Sequence, residues 1–169
     1  MMMNSTQSKR LVQPLFLEAN NNKFNVVLSS YEIAHQIALL LNKNNKLGKV
    51  HTVNSITRNY VKYFIEIQNS SVVGCVGLLE EVKLDKILHI SIDERERGKG
   101  IGYKLLVNAL SNSNKNEIYM HVREDNIPSL NLAKKLGFEI IAYIPKHNYN
   151  LFTLCLFRRN YNDSRSRFE

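Results

Sequence analysis

A basic, glycine-rich run between two apolar segments constrains this chain more than any other feature. The run extends from Arg95 to Gly102 with the sequence Arg-Glu-Arg-Gly-Lys-Gly-Ile-Gly. Residues 87–92, before it, form an apolar stretch typical of a strand, and residues 103–110, after it, repeat apolar side chains at helical spacing. The run therefore predicts a turn that joins a strand to the N-terminus of a helix.

A turn of this composition favours a bound anion. The first backbone N–H groups of a helix have no partner within the helix, so they remain available to a ligand. The three glycines of the run lack the side chains that would keep a ligand away from these groups. The positive end of the helix dipole and the three basic side chains of the run attract negative charge. We therefore expect the run to bind a phosphate or a pyrophosphate.

The spacing of the glycines distinguishes this run from two common phosphate motifs. A Walker loop ends in Gly-Lys-Ser/Thr, and a dinucleotide fingerprint has the pattern G-x-G-x-x-G. Here Gly98, Gly100 and Gly102 are each separated by one residue. Together with Arg97 they fit the pattern Arg/Gln-x-x-Gly-x-Gly/Ala. This pattern resembles the acetyl-coenzyme A loop of the GNAT superfamily of N-acetyltransferases.

The order of the other segments agrees with this resemblance. The pattern predicts β-α-(α)-β-β-β-α-β-α-β-β, with a first strand at residues 24–28, a first helix capped by Ser29, and a short helix or a loop at residues 51–60. A second signature places Asn126 eleven residues before Gly137. The resemblance implies the GNAT fold, an α/β (α+β) fold with a mixed, mostly antiparallel sheet of six to seven strands and helices on both faces.

Length and composition favour a single globular domain. We expect an irregular leader at residues 1–22, an acetyltransferase domain at residues 23–158 and a basic tail at residues 159–169. The sequence contains neither an apolar run long enough to span a membrane nor a signal-peptide pattern. Cys75 and Cys155 lie in apolar runs, which indicates buried free thiols and a cytoplasmic protein.

The net charge of +8 indicates an anionic partner without identifying it. The phosphates of coenzyme A would account for part of the excess. The remainder favours an acidic protein surface or a nucleic acid, or it forms only a solvated basic surface. The sequence also leaves the oligomeric state open, a homodimer included.

The resemblance implies acetyl-CoA as co-substrate and assigns residues to it. Backbone N–H groups from Arg97 to Gly102 would hold the pyrophosphate, and the backbone of residues 90–92 would run beside the pantetheine arm. Asn126 would hydrogen-bond near that arm, or would only cap its helix. The expected cofactor-binding residues are Ile90, Ser91, Ile92, Arg97, Gly98, Lys99, Gly100, Ile101, Gly102 and Asn126. The histidines and cysteines lack metal-ligand spacing, so no metal site is expected.

The chain departs from the family pattern at the position of the general acid. Many members carry a tyrosine seven residues after the asparagine that corresponds to Asn126, and here that position is Ala133. Alanine cannot protonate a leaving thiolate. Solvent, or a tyrosine from elsewhere such as Tyr143 or Tyr149, would have to do so.

The general base is also not at a usual family position. Some members use a glutamate eleven residues before the arginine of the loop, where this chain has Lys86. His89 lies on the predicted strand nearer the loop and has a suitable ordinary pKa, so it is the candidate catalytic residue, as a base or as a water organiser. Residues 87, 89 and 91 are expected to share one face of that strand. His121, on the neighbouring strand, is a second candidate.

The sequence therefore predicts an acetyl-CoA-dependent N-acetyltransferase, an acyltransferase that acts on a primary amine of a small molecule or a protein. Direct transfer within a ternary complex is favoured over a covalent acetyl-enzyme, because both cysteines are expected in the core. Two alternatives remain. One is an acetyltransferase that acts on nucleic acid or aminoacyl-tRNA, and the other is a coenzyme A-binding regulatory module without catalysis, which Ala133 motivates.

Overall fold

In the part of the chain that the structure describes, seven strands form one sheet with helices on both of its faces. The computed structural model describes residues 17–19, 29–44, 48–58 and 60–158. The elements are β1 (Leu17–Ala19), α1 (Ser30–Lys43), α2 (Val53–Arg58), β2 (Val61–Gln68), β3 (Ser71–Leu79), β4 (Asp85–Ile92), α3 (Ile101–Ser111), β5 (Glu117–Arg123), α4 (Ile127–Lys135), β6 (Glu139–Pro145) and β7 (Asn150–Phe157).

The strand order across the sheet is β1-β2-β3-β4-β5-β7-β6. The β1–β2 and β4–β5 pairs are parallel, and the other neighbouring pairs of described strands are antiparallel. The predicted mixed, mostly antiparallel sheet with helices on both faces is thereby confirmed.

In the N-terminal part of the described chain, one predicted feature is confirmed, one segment left open is defined, and one expectation is corrected. Ser29 and Glu32 form the capping box of α1, with the Glu32 N–H donating to Ser29 Oγ (3.2 Å) and the Ser29 N–H donating to Glu32 Oε2 (2.7 Å). The uncertain segment at residues 51–60 contains α2. The expected irregular leader is wrong at residues 17–19, where β1 pairs in parallel with β2 and the ladder satisfies its backbone groups. The strand predicted at residues 24–28 lies outside the described residues.

The sheet separates two apolar clusters. Strand β2 shows the alternation, since Tyr63 and Ile65 face α1 and α2 while Phe64 between them faces α3. The α1–α2 cluster contains side chains of β2 and β3, including Cys75. The α3–α4 cluster contains buried side chains of β2 to β5 and of β7. Cys75 and Cys155 are buried and free, as predicted.

A β-bulge interrupts β4 near its end. The register of β4 with β3 shifts so that His89 and Ile90 together lie opposite the single residue Val76. The backbone of His89 adopts a φ of +56°, a left-handed conformation that is uncommon for a non-glycine residue.

The bulge changes which face the β4 side chains occupy. Ile87 packs in the α3–α4 cluster, whereas Leu88 packs against the α1–α2 cluster. His89 contacts Tyr63 and Ser91 contacts the end of α1, so both also face α1 and α2. The expectation that residues 87, 89 and 91 share a face is wrong for Ile87, because the extra residue of the bulge reverses the alternation.

Strands β4 and β5 separate where the bulge begins. Their parallel pairing runs from Asp85 opposite Ile118 to Ile87 opposite Met120. Among the described residues no further β4–β5 pair occurs, although β4 continues for five more residues and β5 for three. The sheet therefore opens into a split between the C-terminal ends of these two strands.

Candidate active site

The glycine-rich run forms an open cradle at the start of α3. Gly98 and Gly100 have φ angles of +79° and +80°, and Gly100 is the N-cap residue of the helix. A Cβ atom added to either glycine would meet no atom within 4 Å. Because Gly100 has no side chain to cap the helix, the N–H groups of the first turn of α3 lack a side-chain cap at this open end.

Gly102 has a different role from the other two glycines. It lies within α3, and a Cβ atom there would be 3.5 Å from Leu132 Cδ2 and 3.6 Å from Ile92 Cγ1. Its side-chain direction therefore faces the packing between α3, α4 and β4. The sequence alone gives no reason to distinguish the three glycines, but in the structure only Gly98 and Gly100 have open surroundings.

The basic side chains of the run are partly engaged by other groups. Lys99 Nζ lies 2.9 Å from Glu96 Oε2. Arg97 Nη2 donates to Asn44 Oδ1 (2.8 Å), and Arg97 Nε donates to the Ile92 carbonyl (3.4 Å). The Arg97 side chain is thus held against the end of α1, and its backbone N–H donates to the Glu94 carbonyl (3.4 Å). The Arg97 N–H, which was expected to bind the pyrophosphate, therefore already has a partner within the chain.

The end of β4 turns backbone groups into the split. The Asp93 N–H donates to the Val73 carbonyl (2.8 Å), so by the alternation of an antiparallel ladder Ser91 also turns its backbone groups towards β3. The Ile90 carbonyl, the Ile92 N–H and the Ile92 carbonyl then point away from β3, towards the split. The Ile92 carbonyl accepts two side-chain hydrogen bonds, which leaves the other two groups facing the split.

Asn126 caps α4. Its Oδ1 accepts a hydrogen bond from the Ser129 N–H (3.3 Å), and Pro128 occupies the first turn. Asn126 therefore caps its helix, which is one of the two roles expected from the sequence. A contact between Asn126 and a cofactor stays a prediction.

Ala133 lies in the core. Its exposed fraction is 0%, and it packs in the α3–α4 cluster with Leu130 and Phe138. The Phe138 N–H donates to the Ala133 carbonyl (3.1 Å), which closes the end of α4. Packed apolar side chains therefore surround Ala133, and its correspondence to the acid position of the family stays a prediction.

His89 is bound within a cluster of aromatic side chains. Its Nδ1 lies 2.5 Å from the Tyr63 hydroxyl, and its ring centroid lies 4.8 Å from that of His51. Burial, with a smaller effect of neighbouring His51, Lys49 and Lys86, lowers the pKa of His89 to about 4. Burial also raises the pKa of Tyr63, so its hydroxyl keeps its proton and is able to donate a hydrogen bond to His89 Nδ1.

His121 lies on β5, just beyond the last β4–β5 pair. Its neighbours Met120 and Val122 belong to the α3–α4 cluster, so His121 faces the same side of the sheet as His89. Its side chain is exposed, and its Nδ1 lies 3.1 Å from Thr153 Oγ1. Burial, and then the charges of two lysines, lower the pKa of His121. The two histidines thus flank the split on the α1 side.

Sequence analysis missed three residues of this region. Tyr63 resembles any apolar strand residue, and His51 belongs to a segment whose structure the pattern did not define. Asn44 ends α1, where asparagine is common for local reasons, so its contacts with residues 47 and 53 positions further along the chain had no visible signal.

The described residues show neither a metal site nor a membrane-spanning helix. No group of three or more histidine, cysteine, aspartate or glutamate side chains within them could hold a metal ion. None of the described helices is long and apolar enough to cross a membrane.

Comparison with known proteins identifies the family. The model of the acetyltransferase (GNAT) family matches residues 31–138, which include the split, the cradle and α4. The chain belongs to the GNAT family of acetyltransferases.

Two curated relatives match parts of the chain. An N-alpha-acetyltransferase of Sulfurisphaera tokodaii is 36% identical over 72 residues, which are 40% of this chain and 42% of that protein. An uncharacterized protein of Mycobacterium leprae is 36% identical over 58 residues, which are 34% of this chain and 16% of that protein. The chain thus matches less than half the length of either relative.

Solved structures share the fold over most of the chain. A putative acetyltransferase of Salmonella typhimurium, solved with its cofactor acetyl-CoA, has a TM-score of 0.69 and 15% identity, covering 83% of this chain and 96% of that one. Ard1 from Thermoplasma volcanium has a TM-score of 0.64 and 23% identity, covering 75% and 94%. An N-acetyltransferase from Staphylococcus aureus has a TM-score of 0.64 and 20% identity, covering 76% and 94%.

Proposed function

We propose that this protein transfers an acetyl group from acetyl-CoA to a primary amine by direct attack within a ternary complex. The observation that carries the proposal is the continuity of the split with the cradle. Free backbone groups at the end of β4 lead to two left-handed glycines whose surroundings are open. An extended arm that ends in a pyrophosphate fits this arrangement.

The residues that would hold the cofactor follow from these free groups. Backbone N–H groups from Gly98 to Gly102 suit the pyrophosphate, because they are directed outward at the positive end of α3. The Ile90 carbonyl and the Ile92 N–H suit amide groups of the pantetheine arm, in the manner of an added strand. Acetyl-CoA, when bound, supplies an acetyl thioester.

The proton of the attacking amine is better accepted by His121 than by His89. A base with a pKa of about 4 has little driving force to take a proton from an ammonium group. His121 is exposed and lies at the mouth of the split. In this proposal His121 accepts the proton, directly or through water, and His89 organises water or the acceptor.

Direct transfer, without a covalent acetyl-enzyme, agrees with the raised pKa values of the two cysteines. Burial raises the pKa of Cys75 to about 12, and burial also raises the pKa of Cys155. A cysteine must ionise to act as a nucleophile, so neither thiol suits a covalent acetyl-enzyme. Protonation of the leaving thiolate by solvent is adequate, since a thiol with an ordinary pKa of about 8.5 leaves readily near neutral pH.

A protein or peptide amine is the acceptor class that we favour. The similarity to an N-alpha-acetyltransferase supports a terminal amino group. Among the strands, β2 and β3 contribute side chains to the α1–α2 cluster and β4 packs against it, while Tyr119 and His121 of β5 face the same side and are half-buried or exposed. In this proposal an extended acceptor lies over this more exposed part of the sheet, beside the split.

Mass spectrometry with isotope-labelled acetyl-CoA tests the proposal. The protein is incubated with a peptide that has a free N-terminus, with the same peptide blocked at its N-terminus, with a polyamine and with RNA. We expect label on the free N-terminus. Label on the polyamine would change the acceptor class, and label on RNA would favour the nucleic-acid alternative. Coenzyme A binding without any labelled product would favour the regulatory module.

A further inference from the structure

The side chain of Asn44 makes three hydrogen bonds with residues at or just after the end of β4. Asn44 is the C-cap residue of α1. Its Nδ2 donates to Ser91 Oγ (2.7 Å) and to the Ile92 carbonyl (3.2 Å), and its Oδ1 accepts from Arg97 Nη2 (2.8 Å). All three partners belong to the end of β4 and the loop that follows it.

Neighbouring contacts hold the end of α1 in the same place. The buried hydroxyl of Ser91 donates to the Leu40 carbonyl (3.4 Å) while it accepts from Asn44. Lys43 Nζ lies 2.8 Å from Asp93 Oδ2, and Asp93 Oδ1 accepts from the Arg95 N–H at the start of the loop. The last turn of α1 is therefore attached to the loop at several points.

The contacts also determine which backbone groups face the split. Asn44 and Arg97 together occupy the Ile92 carbonyl, so this group cannot pair with an arm that lies in the split. They also fix the direction of the chain between Ile92 and the cradle.

We infer that Asn44 is a positioning residue for coenzyme A, which links α1 to the cofactor loop and holds the loop in its binding conformation. The inference rests on the proposed function. A helix on the acceptor side of the sheet thereby contributes to the affinity for the cofactor on the other side.

The chemistry of the position requires an amide of this length. Alanine would remove all three hydrogen bonds. Aspartate has the same shape and keeps an acceptor for Arg97, but it replaces two donors with an oxygen that faces the Ile92 carbonyl. Both substitutions should therefore loosen the loop, although only one of them changes the size of the side chain.

Asn42 provides a matched control on the same helix. Its Oδ1 accepts from the His51 N–H and its Nδ2 donates to the His51 carbonyl, both at 2.8 Å, so it holds the segment before α2 and not the loop. An Asn42→Ala variant loses hydrogen bonds of the same kind from the same element.

Titration calorimetry with coenzyme A on the full chain measures the effect. We expect Asn44→Ala and Asn44→Asp to weaken binding about 10-fold, the loss that one or two hydrogen bonds typically cause, and Asn42→Ala to bind as the wild type does. In turnover assays the KM for acetyl-CoA should rise for both Asn44 variants while kcat at saturation changes little. Hydrogen exchange without ligand should be faster at residues 93–100 in these variants than in Asn42→Ala.

Arg97→Lys keeps the inference testable if the Asn44 variants fold poorly. Lysine retains the charge but not the planar fork that contacts both Asn44 and the Ile92 carbonyl, so it should weaken binding without altering α1. Unchanged affinity in folded Asn44 variants, or an equal loss in Asn42→Ala, would overturn the inference and leave the proposed function intact. A wild-type protein that does not bind coenzyme A would overturn both.

Discussion

The candidate site has a cofactor half and an acceptor half, and the two differ in whether backbone groups or side chains form them. The cofactor half consists of backbone groups, with two left-handed glycines and the end of β4 as its main parts. The acceptor half consists of side chains, among them His89, His121 and Tyr63, which come from three strands. Its geometry depends on the packing of α1 and α2 against the sheet and on the bulge in β4.

This difference affects how each half responds to mutation. A backbone site tolerates most side-chain changes, because the ligand meets N–H and C=O groups that every residue carries, but it is sensitive where a glycine conformation is required. A side-chain site loses function when a single group is removed.

The largest effect is expected at the glycine cradle. Gly100→Glu should abolish the increase in melting temperature that acetyl-CoA causes, because it places a carboxylate where the pyrophosphate would bind and strains a φ of +80°. Thermal unfolding with and without acetyl-CoA measures this. Gly48→Glu is the control, since Gly48 has a φ of +70° and equally open surroundings but lies outside the run. A normal increase in the folded Gly100→Glu variant would contradict the assignment of the cradle.

The next largest effect distinguishes the two histidines. His121→Ala should lower kcat by about 100-fold, the lower range for loss of a general base, while His89→Ala should lower kcat less. Steady-state rates with the peptide acceptor measure both. Because Tyr63 is buried, His89→Ala should instead destabilise the fold, as the hydroxyl loses its partner. A larger loss of kcat in His89→Ala would reverse the assignment.

The pH dependence of the rate offers a separate test of His121. A base must be neutral to accept a proton, so kcat/KM should fall as the pH is lowered through the pKa of His121. Since burial and two lysines lower that pKa, the acidic limb should lie below the ordinary value of 6.5. The limb should be absent from the residual activity of His121→Ala. If the acidic limb persists in His121→Ala, it reports the titration of another group.

The sequence predicted the strand, the glycine turn and the helix of the cradle well and the long-range side-chain contacts of both halves poorly, for physical reasons. A strand, a turn with glycines and a helix are local, so residues 87–110 carry enough information to predict the cradle. The capping box at Ser29 is local in the same way. The contact of Tyr63 with His89 crosses 26 residues, and the contact of Asn44 with Arg97 crosses 53. No periodicity along the chain indicates such contacts.

The bulge in β4 shows the same limit within one strand. Simple alternation places residues 87 and 89 on one face, but the extra residue puts Ile87 and His89 on opposite faces. Gly102 is a similar case, because its place in the motif does not reveal that it faces Leu132. Packing decides both, and packing is not local.

A smaller effect is expected at Ala133. Ala133→Tyr should destabilise the fold by roughly 1–3 kcal/mol, because the position is fully buried and a ring would overpack the α3–α4 cluster. Chemical denaturation measures the free energy of unfolding. Ala133→Ser, which adds a single oxygen, is the control for polarity. A Tyr variant that keeps its stability and turns over faster would show that this position adjoins the leaving thiolate.

The smallest effect is the contribution of buried His89 to the pH dependence of the free energy of unfolding. The ordinary pKa of 6.5 applies to the unfolded chain, whereas burial lowers the pKa to about 4 in the folded protein. Between these values the unfolded state binds more protons, so the free energy of unfolding falls as the pH falls. From pH 6.5 to 5.5 the contribution of His89 should be about 1 kcal/mol. His89→Gln should remove it, and His35→Gln, which changes an exposed histidine, should not. Urea unfolding at both pH values measures the difference. An identical pH dependence in the wild type and in His89→Gln would mean that His89 is not held neutral by its surroundings, and the reason for preferring His121 as the base would then be lost.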